Sequence, residues 1–317
     1  MEFISWNKEH LDDVLRLWNQ EIGNQFPLRK ELLRQNSFLD HNVTFGGSWI
    51  ALNEDEKVIG FVIAKKWQED LDIPMNPEVG WIQVLLVDSA YRNQGIGSKL
   101  LKKAEELLKN NGIKTLHLGR DPWHYFPGIP NEYKVLKSWF EDRGYTYMGN
   151  EFDVICHYSD HESVPVPNFE DVAFSLLCSD EKTDLLDFLH RCFPGRWEYE
   201  AIHYFNKGGI GREFVVAKKN GKIIGFCRIN DAKSPFIAQN VYWSPLFEEE
   251  LGGIGPLGID RNQRKNGYGL AIVQAAIHFL RQRDIKHIVI DWTGLVEFYG
   301  KLGFKPWKSY AQYTKSL

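Results

Sequence analysis

The sequence is poor in the features that mark secreted, membrane-spanning and nucleic-acid-binding chains. Its 317 residues hold four cysteines, Cys156, Cys178, Cys192 and Cys227, with no paired spacing. That scarcity argues against a disulfide framework and for reduced packing residues. No apolar run approaches the roughly 18 residues that span a bilayer. The start, Met1-Glu2-Phe3-Ile4-Ser5-Trp6 with Asp12 and Asp13 soon after, lacks the basic and apolar regions of a signal peptide. A cytoplasmic location with no membrane partner is expected. Thirty-eight Lys and Arg against 42 Asp and Glu leave a net charge of -4. No basic run would track a phosphate backbone, so no nucleic-acid partner is expected.

Motifs of other enzyme classes are missing too. No Gly-Lys-Ser/Thr follows a glycine-rich loop, and Gly97-Ser98-Lys99 has the wrong order for a Walker loop. No Gly-x-Gly-x-x-Gly opens a βαβ unit, which sets aside a dinucleotide fingerprint. No Ser-His-Asp or Cys-His arrangement is legible. His157 and His161 share a helical spacing but have no Cys or carboxylate at metal spacing, so no metal is expected.

What is present is ordinary globular composition, 43% hydrophobic and 25% charged, with an aromatic content of 14% that includes 11 Trp. A chain of this length suits one large or two medium domains. Internal similarity favours two. Tyr91-Arg-Asn-Gln-Gly-Ile-Gly97 and Gln263-Arg-Lys-Asn-Gly-Tyr-Gly269 both contain Arg-x-x-Gly-x-Gly, and 264 − 92 = 172 residues separate the arginines. Each follows a strand-like run, Gly80–Val87 and Gly255–Ile259. Each opens a helix, with Leu100, Ala104, Leu107 and Leu108 on one face in the first and Leu270, Val273, Ile277 and Leu280 in the second. Short strands follow at Thr115–Leu118 and His287–Ile290.

The surroundings repeat as well. Hairpins are expected from Trp49–Leu52 with Val58–Ile63, and from Phe214–Ala217 with Ile223–Phe226 around Asn220-Gly221. Ser138-Trp-Phe-Glu-Asp-Arg-Gly-Tyr145 and Glu297-Phe-Tyr-Gly-Lys-Leu-Gly-Phe304 read as short helices stopped by a left-handed glycine, Gly144 and Gly303. The expected fold is α/β (α+β), two tandem copies of one mixed, mostly antiparallel sheet flanked by helices. The expected domains are residues 1–158 and 169–317, with Pro165 and Pro167 in a linker at 159–168.

A glycine-rich turn from strand to helix gathers backbone N–H groups at the positive end of the helix dipole, a site for phosphate or pyrophosphate. Glycine permits positive φ and close approach there. Arg92 and Arg264 add charge to such a site or hold the loop in shape.

The order of strand, helices, hairpin, long strand, Arg-x-x-Gly-x-Gly, helix, strand and a helix ending in Phe298-Tyr-Gly-Lys-Leu-Gly-Phe304 resembles the GNAT superfamily of N-acetyltransferases, once in each half. The resemblance implies transfer of acetyl from acetyl-CoA to the primary amine of a small molecule. It implies cofactor binding by Leu257, Gly258, Ile259, Arg264, Lys265, Asn266, Gly267, Tyr268 and Gly269. In the first half it implies Leu85, Leu86, Val87, Arg92, Asn93, Gln94, Gly95, Ile96, Gly97 and Ser98. Backbone N–H groups along Leu257–Ile259 would meet the thioester oxygen, and Pro256 and Gly258 suggest a bulge or an irregular edge there.

The departing thiolate needs an acid, and Tyr299 matches the family's tyrosine in this helix. Aligning Gly303-Phe304 with Gly144-Tyr145 puts Phe140 at its place in the first half. The second half is thus expected to be catalytic, with Tyr133 a possible substitute hydroxyl in the first. Candidates for the base are Glu248, Glu249, Glu250, Asp291 and Glu297, with Glu78 in the first half. Trp123, His124, Tyr125 and Phe126 lie in a proline-bounded loop that either lines an acceptor pocket or packs over its own domain. Trp197, Tyr199, Trp243 and Trp292 add rings to the second half. An amino sugar is one acceptor that rings and carboxylates would suit. Two alternatives stand beside this reading: catalysis by the N-terminal half, and a non-catalytic acyl-CoA-sensing module.

Overall fold

The computed structural model describes residues 1–160 and 162–317. Elements follow in chain order as β1 (Glu2–Ser5), α1 (Leu11–Ile22), α2 (Lys30–Leu33), β2 (Trp49–Leu52), β3 (Val58–Lys66), β4 (Val79–Val87), α3 (Ile96–Asn110), β5 (Thr115–Leu118), β6 (Ile129–Pro130), α4 (Lys134–Glu141) and β7 (Thr146–His157). The second half adds β8 (Ala173–Leu176), α5 (Lys182–Cys192), α6 (Arg196–Asn206), β9 (Phe214–Lys219), β10 (Lys222–Asn230), β11 (Leu251–Ile259), α7 (Tyr268–Arg281), β12 (His287–Thr293), α8 (Val296–Gly300) and β13 (Lys305–Ser316).

Unit 1 comprises Met1–Leu71, Asn76–Glu151 and Ser309–Leu317. Its strands pair antiparallel from β1 through β2 and β3 to β4, and β4 runs parallel to β5. The end of β13 closes this sheet against β5 and β6. Unit 2 comprises Asp72–Met75 and Phe152–Lys308. It repeats the pattern with β8, β9, β10 and β11 antiparallel, β11 parallel to β12, and the end of β7 antiparallel to β12. A single linear cut near residues 159–168 therefore does not describe the units. Each half contributes a strand end to the other's compact unit, because a sheet edge left open needs a partner.

The amphipathic helices lie where their periodicity predicts. On α3 the buried positions are Ile96, Leu100, Leu101, Ala104 and Leu108. They pack on Val62, Ala64, Ile82 and Leu116 of the sheet. Helix α7 is apolar over most of its length, and Ala271, Ile272, Val273, Ala276, Ile277 and Leu280 join Cys227, Ile229, Ile254 and Ile288 in the core of unit 2. Gly144 and Gly303 stop their helices with φ of 84° and 87°. The four cysteines are free. No described helix is long and apolar enough to cross a membrane.

Candidate active site

The parallel ladders of the two units match residue by residue. Ile82 pairs with Leu118 in unit 1 and Ile254 with Ile290 in unit 2, and 254 − 82 and 290 − 118 both equal 172. The parallel ladder of each unit ends at these pairs. Beyond Ile254 the stretch Gly255–Ile259 keeps its β10 neighbour but has no β12 partner among the described residues. Alternate N–H groups of a strand point to opposite edges, so the β12 side of this stretch offers unused donors. Residues 255–257 are partly exposed. Gly255 has φ 127° and precedes Pro256 through a cis bond, which makes this end of the strand irregular.

The glycine loops share one construction. Asp88 caps its turn by accepting from Ala90 N at 2.9 Å, and Asp260 from Asn262 N at 2.9 Å. Arg92 Nε donates to Val87 O at 3.0 Å and Arg264 Nε to Ile259 O at 3.1 Å. Both arginines thus tie the loop to its strand. Arg92 is also paired with Glu21. Gly95 and Gly267 are left-handed at φ 80° and 81° and cap α3 and α7. Arg264, Lys265, Asn266 and Gly267 are exposed, as are Arg92, Asn93, Gln94 and Gly95. The first N–H groups of α7, from Tyr268 onward, have no intrahelical acceptor, as at any helix start. An exposed left-handed glycine ahead of free amides fits a pyrophosphate.

Around the open strand edge, unit 2 gathers ionisable groups. Asp291 follows the last ladder residue of β12, Ile290, and Asn240 donates to its Oδ1 at 3.1 Å. Burial pushes the Asp291 carboxyl up to about 6 although Arg196 opposes the shift, and Glu200 adds to it. The Arg196 guanidinium lies 4.5 Å from the Trp292 ring and pairs with Glu200 at 2.8 Å. Trp292 has φ 44°, and its N–H donates to Asp153 at 3.1 Å. Tyr299 on α8 is buried, and burial with the nearby Cys227 and Asp291 raises its phenol above the ordinary range. It therefore holds its proton at neutral pH, as an acid must.

The other base candidates lie elsewhere. Glu249 sits in an exposed cluster with Lys286 at 2.7 Å and His287 at 3.2 Å, and its carboxyl is held below the usual value mainly by Lys286. Glu250 accepts from Ala232 N, and Glu78 pairs with Lys114. Glu248 and Glu297 are exposed. His157 Nδ1 lies 2.7 Å from His287 Nδ1, and His161 falls outside the described residues.

At the matching place, unit 1 is filled. Gln83 stands where Gly255 does, Trp81 where Gly253 does and Gly119 where Asp291 does, all at the 172-residue offset. Lys65, opposite Trp81 as Asn230 is opposite Gly253, is fully buried between Asp40 at 2.7 Å and Asp121 at 2.6 Å. Gln83 donates to Trp123 O at 2.8 Å and accepts from Ser37 at 3.0 Å. Trp123, His124, Tyr125 and Phe126 are all buried. Phe126 stacks on Trp18 at 5.7 Å, and the Tyr125 hydroxyl meets Ser37 at 2.7 Å. Of the two readings of this loop, packing over its own domain fits the geometry. Phe140 stands edge-on to Tyr145 as Tyr299 stands to Phe304, without the hydroxyl. Tyr133 caps the start of α4, seven residues before Phe140.

Sequence reasoning missed Asn240, Arg196, Glu200 and Arg228. Asn240 sits in the connection 231–250 between β10 and β11, longer than the 67–78 connection of unit 1. No motif marks it. A hint was available in Arg196 and Glu200, an i,i+4 charge pair on a helix that also buries Tyr199 and Tyr204.

Comparison with known proteins gives the family. The model of the acetyltransferase (GNAT) family matches residues 11–126 and again residues 182–304. An uncharacterized N-acetyltransferase of Methanocaldococcus jannaschii is 28% identical over 131 residues, 39% of this chain and 58% of that protein. A GCN5-related glucosamine N-acetyltransferase region of a fungal multi-domain β-N-acetylglucosaminidase aligns with a TM-score of 0.88 at 24% identity, over 99% of this chain and 38% of that one. A tandem GNAT protein from the clavulanic acid biosynthesis pathway aligns with a TM-score of 0.68 at 13% identity, over 99% and 98% of the two chains. The chain thus spans less than two thirds of the length of the first two.

Proposed function

This chain belongs to the acetyltransferase (GNAT) family, and from that premise we propose that acetyl transfer from acetyl-CoA takes place in unit 2, to the primary amine of a small molecule. The observation that carries this is the contrast at matched positions. Among the described residues each unit leaves a strand edge unpaired past its parallel ladder, but unit 2 has Asp291 and Tyr299 there. Unit 1 has Gly119 and Phe140 at their places and buries Gln83, Lys65 and Trp81 at the same register.

The donor supplies an activated acetyl thioester. The N–H groups on the β12 side of Leu257–Ile259 donate to the thioester oxygen as charge grows on it. The loop from Arg264 to Gly269 holds the pyrophosphate. Asp291, with its carboxyl near 6, is ionised at neutral pH and takes the proton that the attacking amine gives up. Tyr299 gives its proton to the sulfur as the C–S bond breaks and the C–N bond forms. The acetyl group ends on nitrogen and the thiol leaves neutral; Asp291 then sheds its proton and the Tyr299 phenolate regains one through solvent, which restores both groups.

For the acceptor, an amino sugar of the glucosamine type is the first to test. The fungal neighbour's region is a glucosamine N-acetyltransferase. The partly exposed Trp292 ring offers this chain an apolar face suited to a sugar.

Calorimetric titration of acetyl-CoA into the wild type, Gly97→Glu and Gly269→Glu tests the assignment, paired with an assay of glucosamine acetylation. Gly269→Glu is expected to abolish both binding and transfer, and Gly97→Glu to leave transfer unchanged. Loss of transfer in Gly97→Glu alone would move the active site to unit 1.

A further inference from the structure

Asn240 makes three polar contacts that can be satisfied in one orientation only. Its Nδ2 is 3.1 Å from Asp291 Oδ1 and 3.3 Å from Gly255 O, and both of these are acceptors. The Nδ2 end is therefore the amide donor, and Oδ1 must accept. It does so from Asn230 Nδ2 at 3.1 Å, which fixes the orientation of that side chain as well. Room for Asn240 exists because residue 253 is glycine. A Cβ there would stand 1.9 Å from Asn240 Oδ1.

The same amide thus holds two things at once. One is the carboxylate one residue past the parallel ladder of β12. The other is the carbonyl at the point where β11 leaves β12. Unit 1 has nothing comparable, since Lys65, Trp81, Gln83 and Gly119 occupy the places of Asn230, Gly253, Gly255 and Asp291.

We propose that Asn240 is a positioning residue for the transfer, whose side-chain amide reserves Oδ2 of Asp291 for the incoming proton and locks that carboxylate to the strand edge that receives the acetyl group. The proposal rests on the reading of Asp291 as the base. With Oδ1 occupied by a donor, the proton from the amine goes to Oδ2. Donation to the carboxylate also favours its ionised form, against the burial and the Glu200 charge that oppose it. The charged and titratable groups around Asp291 are Arg196 and Glu200 on α6, Arg228 on β10, Tyr299 on α8 and Asp153 on β7. Of these, the two cations Arg196 and Arg228 act in the same direction as Asn240.

The test needs no acceptor. Protein labelled with 13C at its aspartate carboxyls is titrated by NMR, and Asp291→Asn identifies the Asp291 signal. The wild-type signal is expected to titrate near 6. In Asn240→Leu the midpoint moves up by roughly one unit, the equivalent of one lost hydrogen bond to a charged group. Asn240→Ser, too short to span both partners, and Gly253→Ala, which displaces the amide, move it the same way and serve if the leucine variant does not fold. A wild-type midpoint near 4, the ordinary carboxylate value, would remove Asp291 as the base. A wild-type midpoint near 6 that stays put in every folded variant would leave the base in place and overturn the role of Asn240.

Discussion

Units 1 and 2 share a register, a loop construction and a helix, yet they use the end of the parallel ladder in opposite ways. In unit 1 a fully buried lysine between two aspartates, a glutamine and an aromatic loop occupy that end. In unit 2 four glycines, Gly252, Gly253, Gly255 and Gly258, stand in β11, and Asn240 beside it donates to the Asp291 carboxylate. A duplicated scaffold keeps its shape through backbone pairing and apolar helix faces. The chemistry is removed or retained by a few side chains at the mouth of the strand gap, where packing places no common demand on them.

That comparison can be broken in three ways, of decreasing size. Lys65→Met leaves Asp40 and Asp121 buried without their cation, so unfolding stability should drop by about 3–5 kcal/mol. Acetyl transfer at a permissive temperature should persist. Chemical denaturation beside the activity assay reads both, and a variant that folds well but is inactive would mean that unit 1 does the chemistry.

Tyr299→Phe should lower kcat by about a hundredfold with little change in acetyl-CoA affinity. Phe140→Tyr, the mirror change in unit 1, should alter neither. Equal activity of Tyr299→Phe and wild type would remove the phenol from the mechanism.

Asp291→Asn should also change the pH dependence of stability. The folded carboxyl titrates near 6 against an ordinary 3.8, so the folded state binds more protons between those values. Stability is full below about pH 4 and falls as pH rises through 6. The loss amounts to about 3 kcal/mol at most. The asparagine variant should therefore match the wild type in melting temperature at pH 4 and exceed it at pH 7.5. Parallel curves across that range would place the carboxyl in ordinary solvent.

Much of the frame was legible because it is written locally. Arg-x-x-Gly-x-Gly specifies a strand, a left-handed turn and a helix within about a dozen residues, and the turn came out alike at Gly95 and Gly267. The hairpins of β2 with β3 and β9 with β10 lie where alternation put them. The strand at Gly255–Ile259 proved longer, Leu251–Ile259, since its glycines carry no apolar signal. Asp291 was one carboxylate among several candidates, and only its surroundings set it apart from Glu249, which lies in a solvated ion cluster.

The sequence alone determined two copies of one α/β unit, their glycine loops, and a tyrosine present in one copy and absent from the other. These follow from short-range periodicity, from glycine's freedom at positive φ and from direct comparison within the chain. Tertiary structure decided what depends on distant residues meeting. The end of β13 pairs with β5 in unit 1 across a separation of 198 residues between Thr314 and Leu116. Asn240 reaches Asp291 across 51 residues, and Lys65 reaches Asp121 across 56. A carboxyl's affinity for its proton, and whether a strand gap is open or filled, are properties of such meetings, because desolvation and Coulomb forces act through space and not along the chain.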